Sequence, residues 1–109
     1  MIEALWSIEF ETSTGYIGAG VAMFETGRIY GGDSNYYYVG DYRLKDNLAT
    51  ASIVVTHYSG GLNNVFGPLK QVNLNLTGIV NRSSFTVSGV AAESSAHIVI
   101  RLTRRAELP

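Results

Sequence analysis

Val72-Asn73-Leu74-Asn75-Leu76-Thr77 alternates apolar and polar residues without a break. In an extended chain successive side chains point to opposite faces, so this pattern puts the valine and leucines on one side and the asparagines and threonine on the other. The same alternation recurs along the whole chain. Trp6, Ile8 and Phe10 oppose Ser7, Glu9 and Glu11; Phe85 and Val87 oppose Ser84, Thr86 and Ser88; Ile98, Ile100 and Leu102 oppose His97, Val99 and Arg101. No segment sustains the i, i+3, i+4, i+7 spacing of an amphipathic helix, so the chain reads as strands.

Turn residues set the strand boundaries. Thr12 to Gly15 closes the first strand, and the second runs from about Tyr16 to Phe24, with Ile17, Ala19, Val21 and Met23 on one face and Gly18, Gly20 and Ala22 on the other. Glu25-Thr26-Gly27 is a tight hairpin, because glycine takes positive φ at no steric cost. Arg28 to Gly31 is a short third strand. Gly31-Gly32-Asp33-Ser34-Asn35 is the clearest turn cluster, with Asp33 expected to bond nearby amides. Tyr36 to Leu44 follows, then the hairpin Lys45-Asp46-Asn47, then Leu48 to Tyr58. Within this longest strand Ala49, Ala51, Ile53 and Val55 share a face, and its length leads us to expect a bend or bulge. Ser59 to Lys70 is the one long irregular stretch, with glycines around Val65-Phe66, and long connections often carry function.

Eight strands with hairpin-length links predict an all-β, up-and-down antiparallel barrel, closed or nearly so, as one domain over residues 1–109. A barrel of this size is just wide enough to fill with side chains or to hold one small ligand. Ala19, Ala49 and Ala51 are expected to leave space inside.

Composition narrows the function. The chain has no cysteine, which removes disulfides and thiolate chemistry and fits a reducing, cytoplasmic location. Its start lacks a basic segment followed by an apolar one, so no secretory leader is read there, and no run is long enough for a membrane span. The net charge of -1 argues against direct nucleic-acid binding. Arg101, Arg104 and Arg105 read as a solvated strand end with a short tail. The Asn-x-Ser/Thr triplets at Asn75 and Asn81 are taken as chance motifs in a strand-rich sequence.

Catalytic and metal-binding patterns are missing from the sequence. His57 and His97 read as surface histidines, no His-x-His or acidic calcium loop occurs, and Glu9 and Glu11 are neighbours on a wet face. Gly18-Ala19-Gly20 lies within a strand with no helix after it, so it lacks the amide-lined terminus that dinucleotide phosphates need. A hydrolase or isomerase built on tyrosine and Asp33 has little support. We therefore expect no enzyme, no cofactor and no metal. Tyr36, Tyr37, Tyr38 and Tyr42 read either as barrel wall and surface or as an interface or pocket rim, since tyrosine suits places with one apolar and one wet side.

Three segments carry a family resemblance: Leu5-Trp6-Ser7-Ile8-Glu9-Phe10, Gly27-Arg28-Ile29-Tyr30-Gly31-Gly32-Asp33, and Tyr38-Val39-Gly40 followed by a hairpin. In these the chain resembles the GrlR family of type III secretion negative regulators, in order through about the first 60 residues. The resemblance implies a bacterial, cytoplasmic, lipocalin-like eight-stranded barrel, a homodimer, that represses by binding a transcriptional activator. It also implies a carrier role for a small apolar or lipid-like ligand. The family's acidic contact loop corresponds to Lys45, Asp46 and Asn47, where only Asp46 is acidic. An outward apolar residue such as Val99 is expected to contribute to the dimer.

Overall fold

A computed structural model describes residues 2–13, 15–61 and 69–109, so most of the glycine-rich stretch, 62–68, lies outside the described residues together with its Val65-Phe66 pair. Eight antiparallel strands follow one another in chain order: β1 Ala4–Thr12, β2 Ile17–Glu25, β3 Arg28–Gly32, β4 Tyr36–Lys45, β5 Leu48–His57, β6 Gln71–Ile79, β7 Ser84–Ala91 and β8 His97–Glu107. Each strand pairs with the next and β8 returns to β1, giving the closed barrel that the alternation predicts. Closure leaves no open sheet edge for another chain to extend. Among the described residues no helix is long and apolar enough to cross a membrane.

The alternating apolar residues converge on the barrel axis. Trp6, Ile8, Leu74, Leu76, Phe85, Val87, Ile98, Ile100 and Leu102 are all buried, while Glu9, Glu11 and Asn75 are exposed. One end of the barrel is sealed by Trp6, which packs edge-on against Phe85 at 4.9 Å and donates its indole N–H to the Ile2 carbonyl at 2.8 Å. The glycine hairpin forms as expected, with Thr26 at φ 51° and Gly27 at φ 80°. This pair of left-handed residues matches the twist of the flanking strands.

Three expectations are corrected. The face of β2 that enters the barrel is Gly18, Gly20, Ala22 and Phe24, whereas Ala19 is exposed and Ile17 and Val21 point outward. The glycines face inward because the interior above them is occupied: a Cβ on Gly18 would run into the Phe10 ring, and one on Gly20 would lie 3.1 Å from the Tyr38 hydroxyl. Of the bend or bulge expected in β5, the bulge is not there, since its pairing with β4 and β6 runs without a register shift. The irregularity sits instead between β1 and β8, where Leu5 pairs with Ala106 but Trp6 with Arg104, leaving Arg105 as the extra residue. Arg104, just before the shift, keeps the inward parity of Ile98, Ile100 and Leu102 and meets Trp6, so it is not simply a solvated strand end. Its guanidinium lies 5.4 Å from the indole centroid and pairs with Glu107 at 3.0 Å.

Candidate functional site: the Asp33 end of the barrel and the outer face of β2–β4

At the end opposite Trp6, the Gly31-Gly32-Asp33 turn delivers a carboxylate to the barrel interior. Asp33 Oδ1 accepts hydrogen bonds from the backbone N–H groups of Asn35 (2.9 Å) and Tyr36 (2.8 Å), the arrangement expected of an aspartate capping a turn. Its other oxygen, Oδ2, accepts from the Tyr38 hydroxyl. Tyr58 reaches across to donate to the Asp33 carbonyl at 2.7 Å. Gly20 gives this assembly its room, since a Cβ there would stand 3.2 Å from the Asp33 Cβ and closer still to the Gly32 carbonyl.

Strand alternation divides the tyrosine cluster. Tyr36 and Tyr38 are buried and line the interior, Tyr42 lines it deeper and packs against Phe24 at 5.2 Å, and Tyr37 is exposed on the outer surface. The cluster is therefore barrel wall at Tyr36, Tyr38 and Tyr42 and outer surface at Tyr37. Burial, followed by the hydrogen bond to Asp33 and that carboxylate's negative charge, pushes the Tyr38 hydroxyl far above the ordinary tyrosine range. Burial first, then Tyr16 and Asp33, raises Tyr36 as well. Tyr38 is thus a proton-holding donor to Asp33.

A pH dependence follows from this. A tyrosine whose folded pKa lies above its unfolded value contributes stability that is fully present below about pH 10 and is lost as the pH rises toward the folded value. Urea midpoints measured from pH 8 to 11 are expected to hold steady and then fall above pH 10. Tyr38→Phe should lower the plateau and flatten the alkaline fall, because phenylalanine has no proton to lose. An equally steep fall in the variant would assign the effect to other groups.

His57 differs from the expected surface histidine. It continues the inward register of Ala49, Ala51, Ile53 and Val55, stands edge-on to Tyr36 at 5.4 Å, and has its Nε2 2.9 Å from the Gly60 carbonyl. His97 is exposed at the start of β8. The described residues contain no group of three His, Cys, Asp or Glu side chains placed to hold a metal. Lys45, Asp46 and Asn47 form the β4–β5 hairpin tip, with Asp46 at φ 58°, exposed at the Trp6 end and far along the barrel from Asp33.

The barrel axis carries a void of about 80 Å³. Ala22, Ala49 and Ala51 create it, and Asp33 is the one charged residue that lines it among those described. The Trp6 end is closed by buried side chains, whereas Phe10, Asp33 and His57 at the other end are only half-buried.

The outer wall has its own feature. Leu5, Met23, Tyr30, Val39 and Val54 are successive cross-strand partners, forming one apolar row over β1–β5. A second row, Val21, Gly32 and Tyr37, runs beside it. Neither contains a charge, and Val21, Tyr30 and Tyr37 are each more than two-fifths exposed. Reading Ile17 and Val21 as interior residues concealed this face. Val99, by contrast, is outward and exposed but sits between Glu11 and Ser88, so the apolar surface is not centred there.

The fold and this geometry define a closed antiparallel barrel with a small lined interior and two outer rows without charged members, the Arg28 guanidinium lying 5.9 Å from the Tyr30 ring centroid beside them. A solved structure of a redesigned β barrel is similar to this chain, with a TM-score of 0.51 and 9% sequence identity over 95% of this chain and 91% of that one. At that identity the likeness speaks for the fold alone. No protein-family model and no curated protein matches the chain.

Proposed function

We propose that this protein is a non-enzymatic regulator that works by protein–protein contact, as a homodimer, in the manner of the GrlR family that its first 60 residues resemble. The observation that carries this reading is the pair of uncharged rows on β1–β5, Leu5-Met23-Tyr30-Val39-Val54 and Val21-Gly32-Tyr37. Contiguous exposed apolar surface on a small protein marks a place where another macromolecule sits, and tyrosines at its centre suit a contact core. The partner seated on these rows is a second copy of the chain, and the dimer so formed binds a transcriptional activator. The hairpin tip Lys45-Asp46-Asn47 is a second contact point by resemblance, with a single acidic group to offer.

Affinity capture from native extract tests the reading, with wild type and Tyr30→Glu as parallel baits. A charge at the middle of the row must be desolvated when a partner docks. Wild type is expected to recover a transcriptional regulator and Tyr30→Glu to lose it. Recovery of no regulator by wild type, or equal recovery by both baits, counts against the proposal.

The axial void supports a second reading, a carrier of a small apolar ligand. Its volume of about 80 Å³ is roughly half that of the ~150 Å³ engineered cavity that admits benzene. A compact molecule fits this space, whereas a fatty acyl chain needs the interior side chains to move apart.

A further inference from the structure

We infer that Met23 is an oxidation site that controls assembly: conversion of its thioether to the sulfoxide by a peroxide separates the two copies of the chain. The inference rests on the first reading above, that a second copy sits on the outer rows, and adds the regulation of that contact.

Three observations lead to it. Met23 stands inside the longer row, opposite Leu5 on β1 and Tyr30 on β3, and Val21 of the second row is two residues away on the same face of β2. A change at this one side chain therefore reaches both rows. The second observation is access. Ala22 and Phe24 turn into the core, so Met23 points outward from the barrel wall; it is half-buried, and Val21 and Tyr30 beside it are 49% and 43% exposed. Solvent reaches this part of the wall in the free chain. The third is the inventory of sulfur. The chain has no cysteine and two methionines, and Met1 lies outside the described residues, so Met23 carries the one sulfur atom among those described.

The chemistry needs only the peroxide. A sulfur lone pair attacks one peroxide oxygen, the O–O bond breaks as the S–O bond forms, the thioether gives up two electrons, and the other oxygen leaves as water. The product turns an apolar side chain into a polar one, and methionine sulfoxide reductases reverse it. Within the longer row only the Tyr30 side chain has a proton to donate to the new oxygen. Docking a second copy must therefore strip water from a polar group that the row is poorly equipped to satisfy. A dimer covers Met23, so the reaction runs through the dissociated chain and draws it out of the equilibrium by mass action.

The test treats the full chain with hydrogen peroxide, separates Met23 from Met1 by peptide mapping, and measures the dimer dissociation constant by sedimentation before and after. Oxidation at Met23 is expected to raise that constant about tenfold or more with the circular dichroism spectrum unchanged, and reduction by the sulfoxide reductases to restore it. The oxidation rate of Met23 should fall as the protein concentration rises through the dissociation constant. Met23→Leu conserves the apolar volume and is expected to dimerise like wild type and ignore peroxide, whereas Met23→Gln should match the oxidised chain without any oxidant. If the sulfoxide dimerises as tightly as the thioether, if Met23 in dilute protein resists peroxide, or if oxidation unfolds the barrel, the inference is overturned while the dimer reading stands. If untreated wild type is a monomer, both fall together. The comparison of one chain before and after oxidation decides the question even if a variant fails to fold.

Discussion

Trp6→Ala is expected to lower the stability of the barrel by about 4 kcal/mol, within the range for removing a buried large aromatic. Trp6 is completely buried, and its replacement empties the plug at the closed end of the barrel. The loss has several parts. Phe85 and Phe24 lose their indole contacts at 4.9 and 6.3 Å, the Ile2 carbonyl loses its 2.8 Å donor, and Arg104 loses the ring beneath its guanidinium. In a domain of this size such a change should lower the melting temperature by roughly 15–30 °C. Trp6→Phe keeps most of the ring packing and loses the hydrogen bond, so a smaller cost of about 1–2 kcal/mol is expected. Urea unfolding followed by far-ultraviolet circular dichroism measures both, with the slope unchanged if the native fold persists. A Trp6→Ala midpoint within error of wild type would mean that the sealed end contributes little to the core.

Gly89→Ala is the second large effect, expected at about 3 kcal/mol, the upper part of the overpacking range. Gly89 on β7 pairs with Leu76 on β6, and a Cβ there would collide with the Asn75 carbonyl oxygen and lie 3.2 Å from the Leu76 Cα. The obstruction is backbone, so no rotamer change relieves it, and the β6–β7 ladder must open. The sign is diagnostic. At a position with ordinary space the same substitution stabilises by about 0.4–1 kcal/mol through the unfolded chain. Gly61→Ala provides the control, because nothing lies within 4 Å of a Cβ at that position. Equal urea midpoints for the two variants would show that β6 and β7 do not approach as closely as described.

Much of the fold was legible because alternation is unambiguous where polar and apolar residues truly alternate. In β6, Asn73 and Asn75 against Leu74 and Leu76 leave one way for the strand to face, and it faces that way. In β2 both faces are apolar or glycine, so hydrophobicity could not choose between them. The decision came from Phe10 on β1 and Tyr38 on β4, bulky neighbours that fill the space over Gly18 and Gly20. That one choice also hides the outer apolar rows, since Val21 shares the face of Ala19. The bulge between β1 and β8 was illegible because a register shift belongs to a pair of strands and neither strand alone reveals it, whereas Arg104 follows the inward parity of Ile98, Ile100 and Leu102.

The candidate site was partly readable. Asp33 was expected to cap its turn and does so, but its contact with Tyr38 depends on the register that brings β3 beside β4. His57 offers the clearest missed signal. Two residues beyond Val55 on an inward series, its parity already pointed into the barrel, and its polar character diverted the reading to the surface.

Light scattering on gel-filtered protein, wild type beside Tyr30→Glu, tests most directly whether the uncharged outer rows are a protein-contact surface. Wild type is expected at twice the mass of the 11.8 kDa chain and the variant as a monomer, with both retaining the same circular dichroism spectrum. A wild type that stays monomeric at high concentration, or a variant that dimerises as well as wild type, would contradict it.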